Sequence, residues 1–174
     1  EDAMIRFAKY PGDFGPWIGD SAVVGNVTQH MDTRGDHCGL NFWLAATEGL
    51  PVQMAGLGSE VLGGIGTLTY PAMLDYFSHL RVYLYLGTQP ASYTLALMEV
   101  MLAGVPVVSI GPRQMWLPAL FEGHEIAVEW ADHPYQARQL LLEYLTMPDL
   151  AASEFTRERA VDLFGAETVG AQWK

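Results

Sequence analysis

Glu99 is the only charged residue between Arg81 and Arg113, and it stands among leucine, methionine and valine. A carboxylate in such a helix must face solvent or accept hydrogen bonds, because burying it unpaired is costly. The vicinal hydroxyls of a ribose would satisfy it; a solvent-facing helix glutamate is the alternative. A few residues earlier, Ser92, Tyr93 and Thr94 stand where the same helix is predicted to begin. Backbone N–H groups at a helix start have no partner within the helix, and the end carries roughly half a positive charge. That combination suits a phosphate.

Other residues invite chemistry with less support. His30, Asp32, Asp36, His37 and Cys38 are close together, but their spacing fits no standard zinc pattern, and polar loops often collect such side chains. Gly63-Gly64-Ile65-Gly66 lacks the spacing of a dinucleotide loop and reads better as a strand-to-helix turn. His79, His124 and His133 have no nearby nucleophile, so a hydrolase triad finds no footing. Trp17, Trp43, Trp116, Trp130 and Trp173 are expected in the core or at an interface rather than as sugar-stacking platforms.

Composition narrows the function classes. The 174 residues allow one domain with a sizeable core, and with 50% hydrophobic and 17% charged residues disorder is not expected. A formal net charge of -11 argues against nucleic acid and against anionic membrane surfaces, both of which select basic partners. No run approaches the roughly 20 apolar residues that span a bilayer. Cys38 is the only cysteine, which excludes an intrachain disulfide and fits a reducing, cytoplasmic location. The chain opens on Glu1-Asp2 and stops at Trp173-Lys174, which suggests a domain excised from a longer protein.

Short apolar runs alternate with amphipathic ones, so the fold class is α/β: a Rossmann-like parallel sheet with helices on both faces. Residues 1–20, rich in Gly, Pro and aromatics, read as a leader or linker, and residues 21–174 as the folded domain. Strands are predicted at Ala22 to Val27, Pro51 to Ala55, Leu62 to Ile65, Val82 to Leu86, Pro106 to Ile110 and Ile126 to Val128. Helices are predicted at Gly39 to Glu48, Tyr70 to His79, Leu95 to Ala103, Pro134 to Leu145 and Leu150 to Phe164. Thr69 can cap the second of these, with Pro71 in its first turn, and Gly104 ends the third. In an open α/β sheet ligands bind beyond the carboxyl ends of the strands. The loops of interest are therefore Thr28 to His37, Gly56 to Gly58, Gly66 to Thr69 and Gly87 to Thr94.

Within this frame the run Leu97 to Val108, a Glu followed by Ala103-Gly104-Val105-Pro106-Val107-Val108, resembles the signature of GT-B retaining glycosyltransferases of the glycogen-synthase and sucrose-synthase-like group. Flanking segments occur in the same order. Val24-Gly25-Asn26 with Arg34-Gly35 is similar to the family's "GR…KG" loop, Met54 to Gly58 to its "IAGDG" turn, and Gly66 with Thr69 to its "LG…S" turn. Phe121 to Val128 resembles "VEDGVNGLLV", and Pro148-Asp149-Leu150 with Arg157, Arg159 and Phe164-Gly165 resembles the closing "DPEL…ARERV…FSW" helix.

The resemblance implies a donor-binding half that takes a nucleotide-diphosphate sugar, the acceptor-binding N-terminal half being absent. Glu99 takes the place of the glutamate that holds the ribose hydroxyls. The N–H groups of Tyr93, Thr94 and Leu95, next to Ser92, would meet the distal phosphate. Gly66, Thr67 and Leu68 would lie against the base, and Asn26 and Arg34 stand where the family carries its phosphate-binding cations. No metal or other cofactor is implied. Ala91 occupies the position of the family's first glutamate, so the catalytic residues are not assigned. A nucleotide-sugar-binding module without transfer chemistry and a nucleotide-sugar epimerase half are the alternatives. Residues Ala166 to Lys174 resemble the helix that crosses back to the N-terminal half, so the isolated domain is expected to show some self-association, and any membrane association would come through the missing half.

Overall fold

The computed structural model describes residues 7–88, 95–111 and 128–172. Five strands form one sheet: β1 (Ser21–Val27), β2 (Val52–Ala55), β3 (Leu80–Tyr85), β4 (Val107–Ile110) and β5 (Glu129–Ala131). All neighbouring pairs are parallel and the order is β2-β1-β3-β4-β5. The helices are α1 (Met31–Arg34), α2 (Leu40–Thr47), α3 (Tyr70–His79), α4 (Leu95–Leu102), α5 (Pro134–Thr146), α6 (Leu150–Phe164) and α7 (Ala166–Gln172).

All six residues of β3 are buried, as a strand covered on both faces requires. On one face α3 packs Phe77 edge-on against Tyr83, and α4 buries Leu97 through Leu102. On the other, α5 lies across β1, β3 and β4 and against α2. The helix boundaries follow local chemistry. The Asp149 carboxylate accepts from the Ala152 N–H at 2.9 Å and caps α6. At the end of α4 the Gly104 N–H donates to Met101 O and the Val105 N–H to Val100 O, the paired bonds of a Schellman ending. Thr69 precedes α3 in extended conformation but its side chain makes no capping bond, so Pro71 alone marks that start.

One expected strand differs. Ser59 to Leu62 form a 3-10 turn, and the chain then runs beside β2 through only a few bonds, such as Ile65 N–H to Met54 O at 2.8 Å. Gly63 and Gly66 both adopt φ near +80°, which bends this stretch too sharply for a ladder. Of the strand expected at Ile126 to Val128, Ile126 and Ala127 lie outside the described residues; β5 follows at Glu129–Ala131, where the register on β4 pairs Val108 with Glu129 and Ile110 with the buried Ala131.

The segment ahead of β1 packs on the domain. Phe14 and Trp17 are buried, and the Trp17 indole donates to Leu80 O at 2.7 Å. Arg157 on α6 donates to Gly15 O at 2.7 Å and to Phe14 O at 2.8 Å. Lys9 forms a parallel bridge with Gly165, between α6 and α7. Trp43 is also in the core, as expected.

Candidate ligand cavity at the switch point

The strand order reverses at β1, which has β2 on one side and β3 on the other. At such a switch point the loops leaving adjacent strands diverge to opposite faces and leave a crevice. A cavity of about 470 Å³ opens there, lined among others by Thr28, Gln29, Arg34, Tyr83, Leu95 and Glu99.

Its β1 wall is tightly determined. The Tyr83 hydroxyl accepts the Val27 N–H at 2.9 Å, and burial pushes that phenol well above its ordinary range. The Thr28 N–H donates to Ala55 O and the His30 N–H to Leu57 O, while Gln29 Oε1 accepts the Leu57 N–H at 2.7 Å. A Cβ on Gly56 would lie 2.4 Å from Thr28 O, so only glycine lets the two loops come this close. His30, at φ 55°, is the sole non-glycine residue with positive φ among those described. Such strain is held where the surroundings over-determine the backbone, commonly at ligand sites. Arg34 ends α1 at the mouth, with its side chain toward solvent.

The opposite wall is α4. Leu95 and Ala96, the first of its described residues, line the cavity. Glu99, a turn further on, is only 4% exposed, which rules out the solvent-facing alternative. Its Oε1 lies 2.7 Å from Lys9 Nζ. Lys9 also stacks over the Tyr70 ring, 5.0 Å from its centroid, and its pKa is raised, chiefly by the hydrogen bond to Glu99.

The structure thus brings Arg34, Leu95 and Glu99 to one cavity and leaves other expected residues off its lining. Asn26 is 1% exposed, and its amide donates to Leu84 O at 2.9 Å between β1 and β3. Gly66 is buried with its N–H on Ser59 Oγ, Thr67 is exposed, and Leu68 borders a separate groove beside α3. Ser92, Tyr93 and Thr94, like Ala91, lie outside the described residues. Thr28, Gln29 and Thr88 fall in loops picked out for their position after strands. Lys9 had no signal, because it meets Glu99 across about half of the chain.

The His30 to Cys38 cluster is dispersed by the fold. Asp36 accepts from the Asn41 backbone and side chain at the start of α2. Cys38 is buried, and that burial raises its thiol pKa. Among the described residues no group of three or more His, Cys, Asp or Glu is arranged to hold an ion, and no helix is long and apolar enough to cross a membrane.

No family model matches the chain and no curated protein matches it in sequence. Solved structures do match. Sucrose-phosphate synthase from Thermosynechococcus elongatus superposes with a TM-score of 0.71 at 17% identity, covering 97% of this chain and 50% of that one. AviGT4, a glycosyltransferase involved in avilamycin A biosynthesis, gives 0.67 at 16% identity over 95% of this chain and 54% of that one. Anabaena HepE, solved with UDP and glucose, gives 0.63 at 15% identity over 88% of this chain and 47% of that one. The chain spans about half the length of each of these structures, and its fold is that of a Rossmann-like domain of GT-B glycosyltransferases.

Proposed function

We propose that this domain binds the nucleotide-diphosphate sugar of a glycosyltransferase. The observation that carries the reading is Glu99: a carboxylate 4% exposed, at a cavity on the switch point of a parallel sheet. Ribose hydroxyls donating to Glu99 would supply the hydrogen bonds that a buried carboxylate demands. From there the diphosphate would extend between Arg34 and Leu95 of α4, toward Ser92, Tyr93 and Thr94, which lie outside the described residues. Gly66, Thr67 and Leu68, expected against the base, do not join the lining of this cavity, and the pose does not depend on them. Asn26 acts from behind, holding β1 to β3. Arg34 can clamp a diphosphate bidentately, and with the helix end it stabilises the leaving diphosphate without a bound metal.

Hexosyl transfer of the retaining type then needs a second domain for the acceptor, which fits a chain about half as long as its structural neighbours. A specific feature favours a second reading, binding without transfer: Ala91 supplies no carboxylate where the family carries one, and Asn26 replaces a cation.

The test is calorimetric titration of UDP, GDP and ADP and their glucose conjugates into the domain. At least one nucleotide binds, and Glu99→Ala weakens that binding on the order of 30-fold, to a level still measurable. If none binds, both readings fall. Donor turnover by the protein with its second domain separates them: release of sugar or transfer supports the first, binding with neither supports the second.

A further inference from the structure

We infer that Lys9, in the segment ahead of the first strand, is a positioning residue for Glu99 and makes nucleotide binding depend on that segment. The inference rests on the nucleotide-binding reading above.

Glu99 is nearly buried, and its proposed ligand is itself anionic. A carboxylate beside a diphosphate repels it unless a cation balances the carboxylate. The chain has nine basic residues against twenty acidic ones, and among the described residues Lys9 is the one placed on Glu99, at 2.7 Å through Oε1. Its side chain is 27% exposed, so the pair lies at the edge of water rather than in bulk solvent. The face of Tyr70, at the start of α3, holds the ammonium from a second direction. The raised pKa of Lys9 keeps the cation charged at neutral pH.

A simpler role would be to pin the N-terminal segment, but the segment is pinned without the Lys9 side chain. The Lys9 N–H donates to Phe164 O at 2.9 Å, and the Ala166 N–H donates to Lys9 O at 3.0 Å. Trp17 and Arg157 hold the residues that follow. The backbone bridge to Gly165 therefore fixes the Cα of Lys9, and four methylenes carry the charge to Glu99. This couples the two segments that flank the domain, residues 7–20 and α7, to the occupancy of the cavity.

The experiment titrates UDP, GDP and ADP into the whole chain as wild type, Lys9→Met, Lys9→Arg, Glu99→Ala and the Lys9→Met/Glu99→Ala double variant, with a thermal melt of each. With titrations run well below each melting temperature, Lys9→Met weakens nucleotide binding about tenfold; its melting temperature also falls, because Glu99 is left nearly buried without its partner, and Lys9→Arg restores most of both. The double variant binds no worse than Glu99→Ala alone, since Lys9 acts through Glu99. Wild-type affinity in Lys9→Met, no rescue by Lys9→Arg, or additive losses would each overturn the inference while leaving the binding reading intact. Should wild type bind none of the three nucleotides, both fail together.

Discussion

The cavity at the carboxyl ends of β1 and β3 and the groove at their amino ends are similar in size, about 470 and 550 Å³. Each has an acid paired with a base at 2.7 Å: Glu99 with Lys9 above, Asp20 with His79 below. They differ in burial. The Glu99 side chain is 6% exposed, whereas Asp20 and His79 are 62% and 41% exposed, and Asp75, also near His79, is 78% exposed. Two charges in water gain little by pairing, because solvent already stabilises each and the side chains lose freedom. A carboxylate out of water is different: it must keep its partners, and removing them costs far more than the pair ever contributed. Distance alone makes the two sites look alike; burial sets Glu99 apart and leaves the other pair on the solvated surface.

The contrast can be broken by experiment. The largest expected effect is Glu99→Gln, which keeps the shape and removes the charge from both Lys9 and a ribose. Nucleotide affinity should fall on the order of 30-fold, about 2 kcal/mol, by calorimetry. Next is Tyr83→Phe, which strands the Val27 N–H under the cavity wall. It should lower stability by about 1–2 kcal/mol in urea denaturation, with the unfolding slope unchanged. Arg34→Ala, at the exposed mouth, should weaken UDP about tenfold and leave uridine binding nearly unaltered; equal losses for both would remove Arg34 from the phosphates.

The smallest effect belongs to the groove. Hydrogen bonding to Asp20 raises the pKa of His79 above its ordinary value of 6.5, and the same bond lowers that of Asp20 below 3.8. The histidine contribution is therefore complete below pH 6.5 and lost as pH rises through the raised value. The aspartate contribution is present above pH 3.8 and lost as pH falls through the lowered one. Asp20→Asn should thus melt like wild type at pH 8.5 and slightly lower at pH 5.5. A large shift at either pH would mean that the groove carries a buried pair after all.

Some of this was legible in local chemistry. Pro71 in the first turn of α3 and Asp149 ahead of α6 are start signals whose physics lies within a few residues, and those two helices lie where their spacing places them. The uninterrupted run of Val, Tyr and Leu from Val82 to Leu86 declares a central strand. The stretch after β2 was harder, because β-branched residues there suggest a strand and only the left-handed Gly63 and Gly66 prevent it. In the site, Glu99 stood out because one charge in an apolar helix demands an explanation. Asn26 was read as facing a ligand, but a strand alternates its faces, and only the assembled sheet reveals that its amide spans β1 to β3.

By itself, then, the sequence determined the parallel α/β class and most of the helix limits, and it singled out Glu99 as a charge in need of a partner. Each follows from periodicity or from the cost of a lone charge, and these act over a turn or two of chain. Only the tertiary structure decided that Glu99 is buried rather than solvent-facing, that Arg34 shares its cavity, and that Lys9 is its counter-charge. Those outcomes depend on contacts between segments far apart in the chain, where ion pairing and burial are set by the packing of sheet and helices rather than by neighbouring residues.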